Sequence, residues 1–143
     1  MFIGEYSHIM DAKGRLAVPV KFRDKLGDGA VVTRGLDSCL FLYPLKEWQL
    51  LAEKLAVLPL AQSNTRAFSR LMLAGAMEIF LDRQGRVMIP EYLRTYASLH
   101  KKIIITGLFN RLELWDAANW ESYRQGTEQN SVAIAEALNN LGV

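Results

Sequence analysis

Two stretches of the sequence decide the fold: DAKGRLAVP at residues 11–19 and DRQGRVMIP at residues 82–90. When the two are superimposed, Asp, Gly, Arg and Pro coincide, and the positions between Arg and Pro match in apolar character. After a shift of a single residue, the correspondence continues in the same order through glycines, apolar segments and tryptophans: Gly35 with Gly107, residues 40–43 with 112–115, and Trp48 with Trp120. An ordered series of matches of this length indicates an internal repeat.

Each repeat begins with a predicted β-hairpin tip. Asp at the first position and Gly at the fourth of DAKG and DRQG are typical of a type I turn. The Asp carboxylate accepts hydrogen bonds from backbone N–H groups two residues on, and Gly tolerates the dihedral angles at the exit of the turn. We therefore expect Asp11 and Gly14 to organise the first turn, and Asp82 and Gly85 to organise the second.

The remainder of each repeat predicts one helix and two further strands. Pro19 and Pro90 end the strand after each turn and open a helix, because proline is preset for the first helical turn. β-Branched or otherwise apolar segments follow in each copy and are typical of buried strands: residues 30–33 and 40–43 in the first, and residues 103–106 and 112–115 in the second. The sequence thus predicts the pattern β-β-α-β-β twice.

The repeats and the segments around them predict an α+β fold. A four-strand unit of this size cannot bury its apolar face alone, so we expect two units to pack together as a pseudo-twofold barrel. Additional helices are predicted at residues 45–54, 65–77, 117–125 and 132–141. We divide the chain into a first repeat, a helical linker, a second repeat and a C-terminal helical tail, with the bounds 1–48, 49–74, 75–120 and 121–143.

Composition limits the classes of function. Half of the 143 residues are apolar, but no apolar run is long enough to span a bilayer and the N-terminus lacks a secretory signal. We therefore expect a cytoplasmic protein without membrane contact. Cys39 is the only cysteine, and we expect it to lie in a strand; together with His8 and His100 it shows no ligand spacing for a metal. Because nucleotide-binding, nucleophile-elbow and zinc-protease motifs are missing, we expect no enzyme, no cofactor and no small-molecule substrate.

The two motifs resemble the paired AbrB-type, swapped-hairpin domains of the MraZ family. They share the form D-x-x-G-R followed by x-h-x-h-P, where h is apolar. The resemblance covers nearly the whole chain, from F-x-G-E-Y-x-H at residues 2–8 to L-x-L-W at residues 112–115. It implies an AbrB-type double barrel in a cytoplasmic, nucleoid-associated regulator that binds double-stranded promoter DNA at direct repeats. It also implies repression of the protein's own division and cell-wall operon and assembly into a ring-shaped homo-oligomer.

The resemblance also implies which residues contact DNA. The family's D-x-x-x-R motif matches Asp11 with Arg15 and Asp82 with Arg86. Strand alternation independently places both arginines on the face opposite the buried apolar residues. Each tip carries one further cation at a different position, Lys13 or Arg83. A carboxylate directed at DNA would repel phosphate, so we interpret the two aspartates as organisers of the turns.

The charges after the first motif predict a difference between the tips. Lys21, Arg23 and Lys25 lie on the first helix, whereas the second helix begins with Glu91. We therefore expect the first tip to be the more positive and Arg15 to contribute more to DNA binding than Arg86.

Two other functions remain as alternatives. The arginines could form only ion pairs with the aspartates, each of little energetic value, in an oligomeric protein-interaction scaffold or an antitoxin-like partner. Catalysis by the two aspartates is less favoured, because an arginine four residues on would keep each carboxylate ionised.

Overall fold

The computed structural model describes all residues from Met1 to Val143. The first repeat contains β1 (Phe2–Ile9), β2 (Arg15–Ala17), α1 (Val20–Arg23), a 3-10 turn (Asp24–Leu26), β3 (Ala30–Arg34) and β4 (Leu40–Pro44). After β4 come α2 (Leu45–Ala56), α3 (Ser63–Ser69) and a π-helical turn (Arg70–Ala74). The second repeat contains β5 (Met77–Ile79), β6 (Arg86–Met88), α4 (Glu91–Tyr96), β7 (Lys102–Phe109) and β8 (Leu112–Asp116). After β8 come α5 (Ala117–Gln129), α6 (Ser131–Ala137) and a 3-10 turn (Asn139–Leu141).

The strands form two antiparallel sheets that join the repeats. The larger sheet has six strands in the order β1-β7-β8-β4-β3-β5. The smaller sheet is a two-stranded ribbon of β2 and β6, called the ribbon below. Strands β1 and β2 meet only through one isolated bridge, between Met10 and Leu16. Apart from this bridge, the strands before and after each predicted hairpin turn do not pair with each other. Each of them pairs with a strand of the other repeat.

One hydrophobic core lies between the ribbon, the larger sheet and the short helices. It contains 20 buried residues drawn from both repeats. From the ribbon it includes Leu16 and Val87, which face each other and are 0% and 1% exposed. The helices contribute Phe22 and Leu93 at equivalent positions. Because neither repeat encloses a core by itself, the predicted α+β fold of two interdependent units is confirmed.

A second, smaller hydrophobic cluster lies where the linker and tail helices pack on the sheet. Its buried members include Tyr43, Met72 and Trp115, with Trp48 and Trp120 packed against them. The Trp115 and Trp120 rings meet edge to face, with centroids 5.3 Å apart. The tryptophans therefore anchor α2 and α5 on the larger sheet.

Two details differ from the sequence prediction. The helix predicted over residues 65–77 ends at Ala74, and Met77 instead begins β5, where it pairs with Val32. Cys39, predicted to lie in a strand, precedes β4 in a loop, and its Sγ donates a hydrogen bond to the Leu36 carbonyl at 3.1 Å. Local patterns predicted a helix and a strand here, but long-range pairing and the loop hydrogen bond decide the outcome.

Candidate nucleic-acid interface

The first tip (residues 11–15) is a tight turn with a glycine in the left-handed region. The Gly14 N–H donates to the Asp11 carbonyl at 3.0 Å, and the Asp11 N–H donates to the Arg15 carbonyl at 3.0 Å. Gly14 has φ +86°, as expected for a type I turn followed by a one-residue bulge. The second tip (residues 82–86) repeats both hydrogen bonds and the positive φ, +75° at Gly85.

In each tip, both carboxylate oxygens of the aspartate accept hydrogen bonds from groups of the same turn. Asp11 Oδ1 accepts hydrogen bonds from the backbone N–H groups of Lys13 at 3.0 Å and Arg15 at 2.9 Å. Its Oδ2 accepts from Arg15 Nε at 2.6 Å. The backbone N–H of Arg15, followed by the Arg15 side chain, holds the pKa of Asp11 below its usual value. The carboxylate is therefore ionised and directed into the turn, the geometry of an organising group.

Asp82 repeats this arrangement in the second tip. Its Oδ1 accepts from the backbone N–H groups of Gln84 and Arg86, each at 2.9 Å, and its Oδ2 accepts from Arg86 Nε at 2.9 Å. The pKa of Asp82 is lowered by the same causes in the same order, led by the Arg86 N–H.

Each tip arginine forms a hydrogen bond through Nε and has no hydrogen-bond partner in the protein at its Nη groups. The Nε of Arg15 and of Arg86 is bonded to its aspartate, and the side chains are 34% and 30% exposed. The Nη groups of both residues donate no hydrogen bond within the protein. The aspartate thus fixes the orientation of the guanidinium while its terminal N–H groups stay available to an external acceptor.

The ribbon places both arginines on one surface. Arg15 lies directly opposite Met88, and Arg86 lies directly opposite Ala17. These four residues share the outer face of the ribbon, because their neighbours Leu16 and Val87 point into the core. The two arginines are diagonal neighbours, a relationship that separates two residues by about 7–8 Å in antiparallel pairs.

A second pair of arginines, Arg23 and Arg94, packs against the tips. Each of them contacts the tip of the other repeat. Arg23 Nε donates to the Val18 carbonyl at 2.9 Å, and its side chain lies against Gly85 of the second tip. Arg94 Nε donates to the Ile89 carbonyl at 3.0 Å, and its side chain lies against Gly14 of the first tip. Sequence reasoning missed this role. The matching FR and LR at residues 22–23 and 93–94 were the only signal.

This crossing removes the basis for the predicted difference between the tips. Of the three cations on the first helix, Arg23 lies at the second tip. Lys21 Nζ lies 4.9 Å from the centroid of the Tyr6 ring, and Lys25 Nζ donates to the Met1 carbonyl at 2.7 Å, at the end of β1 remote from the first tip. The expectation that this helix makes the first tip more positive is therefore wrong.

Each tip, counted together with the arginine that packs against it from the other repeat, has three cations. These are Lys13, Arg15 and Arg94 at the first tip, and Arg83, Arg86 and Arg23 at the second. Lys13 and Arg83 are exposed on the turns themselves.

The two histidines and the cysteine have different surroundings, and none of them hydrogen-bonds a tip arginine. His8 is half-buried on β1, where burial, assisted by the charge of Arg23, lowers its pKa. His100 Nδ1 lies 2.9 Å from Asp116 Oδ1. Burial raises the pKa of the Cys39 thiol. No group of three His, Cys, Asp or Glu side chains is placed to hold a metal ion. None of the helices has the length and apolar character needed to cross a membrane.

Comparison with known proteins identifies the family. The MraZ family, described as "MraZ protein, putative antitoxin-like", matches residues 1–71 and again residues 72–140. A protein of Natranaerobius thermophilus named transcriptional regulator MraZ is 51% identical over 138 residues, 96% of each chain. Proteins of the same name from Halothermothrix orenii and Clostridium acetobutylicum are 50% and 48% identical over 143 residues and the full length of both chains. With two matching repeats and relatives half identical from end to end, this chain belongs to the MraZ family.

Proposed function

We propose that the protein is a transcriptional regulator that binds double-stranded DNA with the outer face of the ribbon and its two tips. One observation carries the proposal: Arg15 and Arg86 project from the same face of a two-stranded ribbon, each fixed by an aspartate and each with free Nη groups. The name of the curated relatives, transcriptional regulator, supports it.

The shape and chemistry of the ribbon suit the major groove of DNA. That groove is about 12 Å wide and admits a two-stranded β-ribbon. A guanidinium with two free N–H groups can bond guanine O6 and N7 or a phosphate. Ala17 and Met88 lie beside the arginines on the same face, where apolar side chains can contact a thymine methyl group. Lys13 and Arg83 on the turns would meet the phosphates at the edges of the groove.

Self-association of the chain is part of the proposal. The tail exposes an apolar stripe in which Val132 is 70%, Ile134 43% and Leu138 40% exposed. Exposed stripes of this kind mark association surfaces. We propose a ring-shaped homo-oligomer that presents identical ribbons at regular intervals. Direct repeats spaced by about one helical turn, ~10 bp, would let several ribbons bind one face of the duplex.

Membership of the MraZ family motivates a proposal about the setting of the regulator. We propose that it represses the operon of division and cell-wall genes that encodes it, and that it lies in the cytoplasm associated with the nucleoid. Repeated weak sites near the promoter favour occupancy by an oligomer over occupancy by a single chain.

The test compares a duplex from upstream of the protein's own gene with a scrambled duplex of equal length. We expect tighter binding to the upstream duplex. Raising salt from about 50 to 200 mM should weaken binding by orders of magnitude, because several phosphates are neutralised per complex. Equal affinity for both duplexes would contradict sequence recognition.

A protein-interaction scaffold is the second candidate. The observation in its favour is that both tip arginines already form ion pairs with aspartates, at 2.6 and 2.9 Å. In that case the arginines would need no external acceptor. Failure to bind either duplex at low salt would favour the scaffold.

A further inference from the structure

We infer that residues 100–102, which end with the first residue of β7 and are called the basic loop below, form a phosphate-binding element that extends the DNA interface beyond the first tip only. The inference rests on the proposed function, since it adds a contact to the same interface. Its residues are His100, Lys101 and Lys102, all exposed.

The basic loop lies directly beside the first tip. The Met10 N–H donates to the Lys101 carbonyl at 2.8 Å, and Lys102 pairs with Ile9. The loop and the first tip line one open cleft, whose residues are Ile9, Met10, Asp11, Ala12, Arg94, His100 and Lys101. A phosphate next to a ribbon lying in the groove would therefore lie within reach of the loop.

The backbone of the basic loop is held in place while its lysines are free. Asp116 Oδ1 accepts from the His100 N–H at 3.1 Å and lies 2.9 Å from His100 Nδ1. The Leu99 N–H donates to the Arg94 carbonyl at 2.9 Å. Neither Lys101 nor Lys102 forms an ion pair or a side-chain hydrogen bond within the protein. An ordered backbone with free ammonium groups is suited to phosphate, which lysine binds as a point charge.

The nearby acidic groups do not neutralise these lysines. Asp11 is bonded to Arg15, and Asp116 is buried and directed at His100. Arg94, which also lines the cleft, adds positive charge. The loop and the first tip therefore form one continuous positive surface.

The second tip has no equivalent loop. Ile103 pairs with His8, and Ala30 pairs with Ile79, the residue that corresponds to His8 in the second repeat. The strand register therefore matches Lys101 and Lys102 with Asp28 and Gly29. The register positions that two lysines hold at the start of β7 are held ahead of β3 by a carboxylate and a residue without a side chain. The two halves of the interface thus differ, although the tips themselves are equal.

The experiment is a salt titration of DNA binding by Lys101→Ala. We expect affinity for the upstream duplex and for the scrambled duplex to fall by the same factor, because a phosphate contact carries no sequence information. The slope of log affinity against log salt should become shallower by about 1 for each subunit in contact. Lys101→Arg should retain the wild-type slope. Because the loop hydrogen bonds use backbone atoms of residue 101, the melting temperature should not change.

Lys54→Ala is the matched control, since Lys54 is an exposed lysine in the last turn of α2. It should leave both affinities and the slope unchanged. If Lys101→Ala behaves like Lys54→Ala while the wild type binds DNA, the inference about the basic loop is overturned and the proposed function stands. A loss of affinity for the upstream duplex alone would also overturn it, by showing base recognition instead of phosphate binding. A wild-type protein that binds neither duplex would overturn the proposed function itself.

Discussion

The side chain of Arg23 occupies the space that a side chain at Gly85 would need. One residue belongs to the helix of the first repeat and the other to the turn of the second. The reciprocal contact joins Arg94 to Gly14. Each tip is therefore completed by the other repeat, so the glycines are required for packing as well as for their positive φ angles.

Gly14→Ala is expected to destabilise the protein. The left-handed conformation of a non-glycine residue costs about 1–2 kcal/mol. The new Cβ would also lie 2.7 Å from the Ile89 carbonyl oxygen and 2.8 Å from Arg94 Nε, and the carbonyl belongs to the backbone directly after β6. Denaturant unfolding would measure the change in free energy of unfolding, and a wild-type value would contradict the packing described for this turn.

Gly85→Ala should cost less than Gly14→Ala. The φ penalty is the same, but the atoms in the way belong to the Arg23 side chain, which can move. Gly126→Ala is the matched control, because no atom lies within 4 Å of the added Cβ and the residue lies in α5. Replacing a helical glycine with alanine should stabilise the protein by about 0.5–1 kcal/mol. An equal loss of unfolding free energy at all three positions would show that the geometry of the tips does not cause the destabilisation.

His8 should make stability depend on pH between neutral and mildly acidic conditions. Its folded pKa is lowered by burial and by Arg23, so the unfolded chain binds the proton more tightly and unfolding is favoured as pH falls below the ordinary histidine value of about 6.5. The effect ends once the pH is below the folded pKa. Melting temperatures at pH 7 and pH 5 should differ less for His8→Asn than for the wild type. An identical pH dependence in both proteins would contradict this assignment.

The protein should form an oligomer larger than a dimer. The exposed apolar residues of the tail need a partner, and the chain mass is 16.2 kDa. Light scattering should give a mass well above twice this value at micromolar concentration. Val132→Glu together with Leu138→Glu should lower that mass, whereas Lys54→Ala should not. A wild-type monomer would contradict the proposed ring.

The turns and the burial pattern could be predicted from the sequence because local chemistry determines them. Asp and Gly at fixed positions specify the tips, and alternation specifies that Leu16 is buried and Arg15 is not. Comparison of the two repeats added the order of the helices and strands.

The strand partners could not be predicted from the local sequence. The segments before and after Asp11 suit a simple hairpin, but β1 pairs with β7 and β2 pairs with β6. Strand pairing depends on the register across the whole core, which is not encoded near either strand. The same limit explains the error about Arg23, since only the crossing of the repeats places it at the second tip.

The most direct test of DNA binding by the ribbon measures the affinity of Arg15→Ala and Arg86→Ala for the upstream duplex at one fixed salt concentration. Both residues lie on the outer face with free Nη groups, so each variant should lose about 1–3 kcal/mol of specific binding per contact, with the melting temperature and the oligomer mass retained. Arg124→Ala is the control, because Arg124 lies on α5 and pairs only with Glu121 and Glu128. We predict substantial losses for both tip variants and none for the control. Variants of Arg15 and Arg86 that remain folded and oligomeric yet bind the upstream duplex as tightly as the wild type would contradict the proposed interface.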